Sequence, residues 1–314
     1  MYLDHGRIGQ STTRYRYRRT EYDDREEDLA RPDTTSHFGQ LQLVNQPDAD
    51  PYIWRGNLQS ERVTRDDSDR AAYLEQVTAE VGYRAIGRLY VLGLVGLETF
   101  NRADGTRDRF GEEYWEAGGR WTNNRTSIEA RYGERFFGES YFAAISHQHR
   151  RFTGQLNYRE AQQVPQRTRI FTGPQDDAFD EVIDDDLEGQ VLISRRLSAS
   201  GTYETNRSTI RTAAFSDRRE SLETDDDRHR YGVDAFWRWA WHERTNVTPR
   251  LTWERIDDRD GEVDTLRGAR LSISRMLSRN MQAGATVRYQ DRTSDDPERE
   301  YVENAVTLEL TRLF

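Results

Sequence analysis

The sequence contains no cysteine and no long apolar segment, and apolar residues are scarce along its 314 residues. Without cysteine there is no disulfide framework, and no thiolate can act as a nucleophile or a metal ligand. The longest apolar stretch, LYVLGLVGL at 89–97, is strand-sized and too short for a transmembrane helix. Hydrophobic residues make up 34% of the chain, charged residues make up 32%, and the mean hydropathy is −1.00. This composition argues against a large dry core.

The charge and the first residues exclude further classes. A net charge of −10 disfavours nucleic acid as a partner. The opening residues MYLDHGRIGQ lack the apolar region of a signal peptide, so we expect a mature form or an N-terminally trimmed chain. Disorder would fit the low apolar content, but the aromatic content of 11% and a regular alternation of residue types argue against it. A barrel with a wet interior needs only one apolar residue in two, over a short band.

The alternation is clearest in RNMQAGATVRYQDRT, at 279–293. The odd positions 281–289 are apolar, and the even positions between them are polar or glycine. A period of two predicts a β-strand with two unlike faces. Sixteen segments show this pattern, at 8–22, 37–45, 52–65, 71–84, 87–101, 112–122, 125–136, 140–149, 152–162, 186–195, 197–211, 229–241, 246–256, 265–277, 279–291 and 301–314. Alternation alone does not separate a soluble sandwich, with its polar face in water, from a barrel with its apolar face in lipid.

The connections between these segments alternate in kind. Short ones lie at 85–87, 122–124, 149–151, 197–200, 242–245 and 277–280. Mostly longer, acidic ones lie at 23–36, 101–111, 161–186, 215–227, 257–263 and 291–300. Short periplasmic turns and long extracellular loops are typical of bacterial outer-membrane barrels. We therefore predict an all-β, transmembrane, antiparallel up-and-down β-barrel of about 16 strands. We expect the longest loop, 161–186, to narrow its lumen.

Tryptophan placement favours the membrane reading over ordinary core packing. Trp54, Trp121 and Trp241 fall near short turns, and Trp115 and Trp253 fall nearer the long loops. Aromatic girdles at the two membrane interfaces predict this division.

The last residues, ENAVTLELTRLF, resemble the terminal strand of bacterial outer-membrane proteins, which the assembly machinery recognises. Phe314, Leu310, Leu308 and Val306 match that pattern, and Arg312 departs from it. An arginine close to the interface can extend its charged group into water, so the departure is tolerable.

More narrowly, the stretch from RLSISRMLSRN to the C-terminus resembles β-barrel porins linked to exopolysaccharide and PEP-CTERM operons. The basic turn LSRN, the strand ending YQDR and the following acidic loop carry the match, which is clearest over 186–314. The resemblance implies one outer-membrane barrel domain over 1–314. It implies as partners the lipid bilayer, the assembly machinery and exopolysaccharide. The acidic loops can bridge divalent cations to the phosphates of lipopolysaccharide, which is a further expected partner.

Charged residues in mid-strand are predicted to line the lumen. The predicted positions are Arg120, Arg131, Arg238, Arg250, Arg288, Asp234, Glu254, Glu303 and Glu309. Guanidinium groups bind carboxylates and sugar hydroxyls in fixed geometry. The alternative is that arginine and glutamate pair across neighbouring strands and stiffen the wall. With both signs present, strong ion selectivity does not follow.

We expect no catalytic, cofactor or metal site. His147 and His149 share one face, but interfacial polar residues are the simpler interpretation, and DDRDGEVD at 257–264 lacks the final glutamate of a calcium loop. The first functional hypothesis is an outer-membrane channel linked to exopolysaccharide export or its envelope machinery. The second is a non-transporting scaffold or surface-interaction barrel. An outer-membrane enzyme is a third hypothesis without a site.

Overall fold

A computed structural model describes residues 2–8, 11–22, 34–45, 51–65, 71–100, 110–163, 192–221, 227–258 and 261–312. These residues form seventeen β-strands and one 3-10 turn. The strands are β1 Tyr2–Ile8, β2 Ser11–Tyr22, β3 Thr34–Asn45, β4 Tyr52–Arg65, β5 Ala71–Ile86, β6 Leu89–Phe100, β7 Phe110–Thr122, β8 Thr126–Arg135, β9 Gly138–His149, β10 Phe152–Gln163, β11 Leu192–Glu204, β12 Ser208–Ser221, β13 Asp227–His242, β14 Thr245–Asp258, β15 Val263–Ser278, β16 Met281–Ser294 and β17 Tyr301–Arg312. The 3-10 turn is Pro297–Arg299.

The chain divides into two compact units. Unit 1 comprises 1–143, 159–194 and 220–225, and unit 2 comprises 144–158, 195–219 and 226–314. In unit 1, strands β1 to β8 pair in sequence order, each antiparallel to the next. In unit 2, strands β13 to β17 do the same. Both units are therefore up-and-down meanders, in which hairpin connections set the register.

The predicted sorting of connections is confirmed where the structure describes them. Two residues join β5 to β6, β9 to β10, β13 to β14 and β15 to β16, and three join β7 to β8. Gly87 in the first of these turns has φ +56°, a conformation that glycine adopts without steric cost. The connection between β8 and β9 departs from the rule, because it falls at a long-loop position and has only two residues, Phe136 and Phe137.

Burial is inverted relative to a water-soluble protein. Leu308 keeps 79% of its surface exposed, and Val306 and Leu310 on the same face are similarly open. Charged side chains are buried instead: Asp234 is 0% exposed, and Glu98 and Glu80 are 2% and 5% exposed. Because successive residues of a strand point to opposite faces, each meander has an apolar face and a charged face. A contiguous apolar face of this extent indicates contact with lipid rather than water.

Several predicted boundaries were wrong. The segment 8–22 is not one strand, because β1 ends at Ile8 and β2 begins at Ser11. The predicted turn at 197–200 lies inside β11, and the actual turn is at 205–207. There the Thr205 hydroxyl accepts hydrogen bonds from the backbone N–H groups of Ser208 and Arg207 and closes the chain reversal. The acidic loop predicted at 215–227 is shorter, because β12 continues to Ser221.

The structure has the antiparallel up-and-down architecture of the outer-membrane β-barrel class. Closure of the sheet and a single domain over 1–314 remain predictions. No helix in the described segments is long and apolar enough to cross a membrane. Most of the 161–186 loop and the terminal Phe314 lie outside the described residues.

Candidate functional site

The charged face of unit 1 is organised around Arg135, at the end of β8. Its Nη1 donates to Glu98 Oε1 at 2.6 Å, and its Nη2 donates to Glu116 Oε1 at 2.5 Å. The guanidinium carbon lies 4.2 Å from the ring centroid of Tyr114. Strands β6, β7 and β8 bring these groups together, because successive residues of a strand alternate between the two faces of the sheet. Even-numbered residues of β6 and β7 and odd-numbered residues of β8 therefore point to the same face. The planar fork of arginine suits two carboxylates and a ring at once.

A second cluster surrounds Glu80 on β5. Its carboxylate lies 3.3 Å from Arg131 Nη1, 3.4 Å from Arg120 Nη2 and 3.9 Å from Arg55 Nη1. Arg120 Nε also donates to Glu129 at 2.7 Å. One buried carboxylate thus contacts three guanidinium groups, and two of these, Arg120 and Arg131, also pair with Glu129.

Neutral amides extend this charged face. Gln40 donates to Asn57 Oδ1 at 3.0 Å, and Gln76 donates to Glu98 at 2.7 Å and to the Tyr114 hydroxyl at 2.9 Å. These amides, together with Arg131 and Arg135, line a cavity of about 340 Å³ in unit 1. Amide, carboxylate and guanidinium groups supply both donors and acceptors, which suits hydroxylated solutes.

Gly96 allows the Tyr114 ring to lie against the sheet. A Cβ at position 96 would collide with that ring, whereas a Cβ at Gly93 on the opposite face of β6 would meet nothing within 4 Å. Tyr114 is itself the platform for Arg135. The glycine therefore positions the aromatic side chain and, through it, the guanidinium.

The charged face of unit 2 is built from pairs that cross neighbouring strands. Arg250 Nε donates to the buried Asp234 Oδ2 at 2.6 Å, and Arg230 Nε donates to Glu254 Oε1 at 2.8 Å. Further pairs join Arg228 to Asp258, Arg292 to Asp264 and Arg288 to Glu303. This pairing is what the wall-stiffening alternative predicts.

Three arginines nevertheless lie side by side across β14, β15 and β16. Arg250 is the register partner of Arg270, which is the register partner of Arg288. Directly opposed like charges destabilise a sheet. Asp234 and Glu303 offset the two outer members of this arginine row.

The predicted lumen residues fall into three groups. Arg120 and Arg131 share the Glu80 cluster, and Asp234, Glu254, Arg250, Arg288 and Glu303 join the pairs of unit 2. Arg238 and Glu309 are exposed, although alternation places them on the charged face. The location of all nine in a lumen remains a prediction. Sequence reasoning missed Glu80, Glu98, Glu116, Arg135 and Arg270, all of which occupy the same alternating positions as residues it found.

The apolar face carries aromatic side chains near both strand ends. Trp237, Trp239 and Trp241 follow one another on β13, with ring centroids 5.5 Å and 6.3 Å apart. Toward the long-loop end, Tyr231 lies 5.7 Å from Trp253. Trp241 and Trp253 therefore lie toward opposite strand ends, as the sequence predicts, and their location at two membrane interfaces stays a prediction.

Two histidine arrangements bear on chemistry. His147 and His149 stack with centroids 6.3 Å apart, and the part of the chain that the structure describes contains no cluster of three metal-ligating side chains. Ser216 Oγ lies 2.8 Å from His229 Nε2, a contact that the sequence did not suggest. Asp257 on β14 is the register partner of His229, and its carboxylate accepts a hydrogen bond from Arg255. We assign no catalytic role to this pair, because a nucleophile also needs an oriented base and an oxyanion site.

The inverted faces, aromatic levels and sorted connections have one physical explanation. Strands with lipid on one side and charged, hydrated side chains on the other occur in outer-membrane barrels. The protein lies in the bacterial outer membrane.

Comparison with solved structures finds similar outer-membrane proteins at low identity. OmpT, an outer membrane protein of Vibrio cholerae, is 10% identical with a TM-score of 0.42, and the match covers 98% of each chain. OccAB1 of Acinetobacter baumannii is 10% identical with a TM-score of 0.43, and the match covers 99% of each chain. An anion-selective porin from Comamonas acidovorans is 9% identical with a TM-score of 0.38, over 90% of this chain and 93% of that chain. No protein-family model and no curated protein matches. Similarities this low carry no information about activity.

Proposed function

We propose that the protein is a porin-like outer-membrane channel whose charged face borders a water-filled path. The observation that carries this proposal is the burial of paired charges behind an apolar exterior, as with Asp234 and Arg250. Ionised groups are costly in a dry interior, and well-packed apolar residues often replace such pairs at no loss of stability. Charged residues recur on this face in many strands. A face in contact with water explains them more simply than a dry interior does.

Planar-bilayer recording tests the channel. Purified protein, folded in detergent and verified by heat-modifiable gel mobility, should give stepwise conductance in potassium chloride. Folded protein that inserts without conducting would reject the channel. The surface-interaction hypothesis would then be preferred.

We further propose that the path admits a polysaccharide or its fragments, as the resemblance to exopolysaccharide-linked porins implies. The amide groups of Gln40, Asn57 and Gln76 support this, because they present donors and acceptors without adding charge. Blockade of the conductance by oligosaccharides, but not by polyethylene glycol of the same size, is the expected result.

The second candidate is a surface-interaction barrel. Three partly exposed arginines lie on the apolar face near the long-loop ends of β12, β14 and β15, close to the level of Tyr231 and Trp253. They are Arg218, Arg255 and Arg267, and each also lies beside an aspartate, Asp227, Asp257 and Asp291 respectively. Guanidinium groups at this level suit the phosphates of lipopolysaccharide. Co-purification of lipopolysaccharide, lost when all three arginines become glutamine, tests this contact. Recognition of Val306, Leu308, Leu310 and Phe314 by the assembly machinery is likewise a proposal.

A further inference from the structure

A pocket of about 430 Å³ opens at the short-turn end of unit 1. It lies among the ends of strands β3 to β7 and the turn before β8. Four arginines line it: Arg55, Arg84, Arg88 and Arg120. We call it the arginine pocket. It is distinct from the amide-lined cavity, although Arg55 and Glu80 border both.

The arginine pocket has more positive than negative charge. Glu80 is the one carboxylate among its described lining residues, and it already contacts Arg55, Arg120 and Arg131. Glu129 neutralises part of Arg120 from the next strand. The described lining residues therefore comprise four guanidinium groups and one carboxylate. An unbalanced group of cations in a partly enclosed space attracts an anion.

Arg55 gives a second, independent indication. Its Nε is buried and has no hydrogen-bond partner, although the rest of its side chain is partly open to solvent. A buried donor left without a partner costs free energy, and in a native structure it suggests a missing acceptor. A ligand oxygen in the pocket would supply that acceptor.

Two neighbouring side chains, Tyr90 and Asn123, order the pocket. Arg84 Nε donates to the Tyr90 hydroxyl at 3.0 Å, and its guanidinium lies 5.5 Å from the ring centroid. Asn123 Oδ1 accepts from the backbone N–H groups of Arg125 and Thr126 and fixes the turn at the pocket edge. The fork geometry of arginine matches the paired oxygens of a carboxylate or phosphate.

We propose that the arginine pocket binds the oxyanionic group of an acidic saccharide, a carboxylate or a phosphate. Thr122, Asn123 and Asn124 at its rim offer polar groups to the hydroxyls of such a solute. This inference rests on the proposed function in one respect, because the solute must reach the pocket through the proposed water-filled path.

Isothermal titration of the full chain in detergent tests the proposal, with glucuronate, glucose 6-phosphate, glucose and inorganic phosphate as probes. The two acidic sugars should bind, and glucose should not. Arg55→Gln and Arg84→Gln should each weaken binding at least fivefold, and Arg55→Lys should weaken it less. Arg275→Gln, an exposed arginine near the short turn after β15, is the matched control and should leave binding unchanged. If inorganic phosphate binds to the protein and Arg55→Gln abolishes that binding, the oxyanion alone is sufficient for binding, and the result supports the site.

Two outcomes overturn the proposal. One is the absence of binding by either acidic sugar. The other is binding that survives both Arg55→Gln and Arg84→Gln in correctly folded protein, judged by heat-modifiable mobility. Conductance measured on the same preparation separates this inference from the channel. A conducting protein that binds no acidic sugar rejects only the pocket, and a silent protein that binds one rejects only the channel.

Discussion

Asp234 is completely buried, and its Oδ2 accepts a hydrogen bond of 2.6 Å from Arg250 Nε. Arg250 in turn faces Arg270 across the next strand pair. The carboxylate therefore offsets one end of the arginine row. Loss of the Asp234 carboxylate would remove the negative charge that lies beside Arg250 in that row.

Asp234→Asn should lower the free energy of unfolding by about 3 kcal/mol, the lower end of the range for breaking a buried ion pair, because Arg250 keeps some contact with water. Urea titration followed by heat-modifiable mobility measures the change. Glu309→Gln, at an exposed position of β17, should change the stability by no more than about 0.5 kcal/mol. Equal effects from the two substitutions would contradict a structural role for the Asp234–Arg250 pair.

Val287 on β16 tests the lipid-facing assignment. It is 53% exposed on the apolar face, so Val287→Arg should destabilise the protein in a bilayer by about 2–4 kcal/mol if it lies near the midplane. Val302→Arg, on the same face beside the long-loop end of β17, should cost about 0–1 kcal/mol. The comparison is made by unfolding from lipid vesicles. Similar costs at the two depths would argue against a lipid-exposed band.

The arginine row predicts a change in ion preference. Arg270→Gln removes one cation, and a unit charge about 8 Å away in water is worth about 0.5 kcal/mol, or roughly a twofold change. Because the removed charge acts with opposite sign on the two ions, the ratio of potassium to chloride permeability should rise about fourfold, measured as the reversal potential across a potassium chloride gradient. Arg275→Gln, on the opposite face of the same strand, is the control. A shift produced by both variants would show that the row does not face the ion path.

Gly96 should be intolerant of a side chain. Gly96→Ala places a methyl group against Tyr114, which must move away from Arg135, and we expect a loss of about 1–3 kcal/mol. Gly93→Ala on the same strand meets open space and serves as the control. Thermal unfolding in detergent separates the two. If Gly96→Ala is as stable as Gly93→Ala, the ring has room to shift.

Much of the architecture could be predicted from the sequence because a period of two marks each strand directly. The C-terminal hairpins were placed well, since strands such as β15 and β16 have strongly different faces and short basic turns. The boundary between β11 and β12 was misplaced because LSAS, at 197–200, has the small polar residues of a turn. The actual turn depends on a hydroxyl contact of Thr205 that composition does not reveal.

The candidate site was harder to predict, because its contacts join distant strands. Arg135 meets Glu98 from 37 positions away, and Arg131 meets Glu80 from 51 positions away. Such partners follow from the registers of several hairpins in succession, and an error of one residue in any of them moves a side chain to the opposite face. The position of Arg270 could have been predicted, because strand pairing across the short turn at 279–280 aligns it with Arg288.

The three neighbouring tryptophans of β13 have a practical consequence. Indole fluorescence shifts to shorter wavelength as the ring leaves water, and closely spaced indoles couple in near-ultraviolet circular dichroism. Because Trp237, Trp239 and Trp241 occupy successive depths on one apolar face, quenchers attached at different positions along lipid chains can reach them in turn. Fluorescence from these tryptophans can therefore report the depth to which the protein inserts into a membrane, without a label attached to the protein.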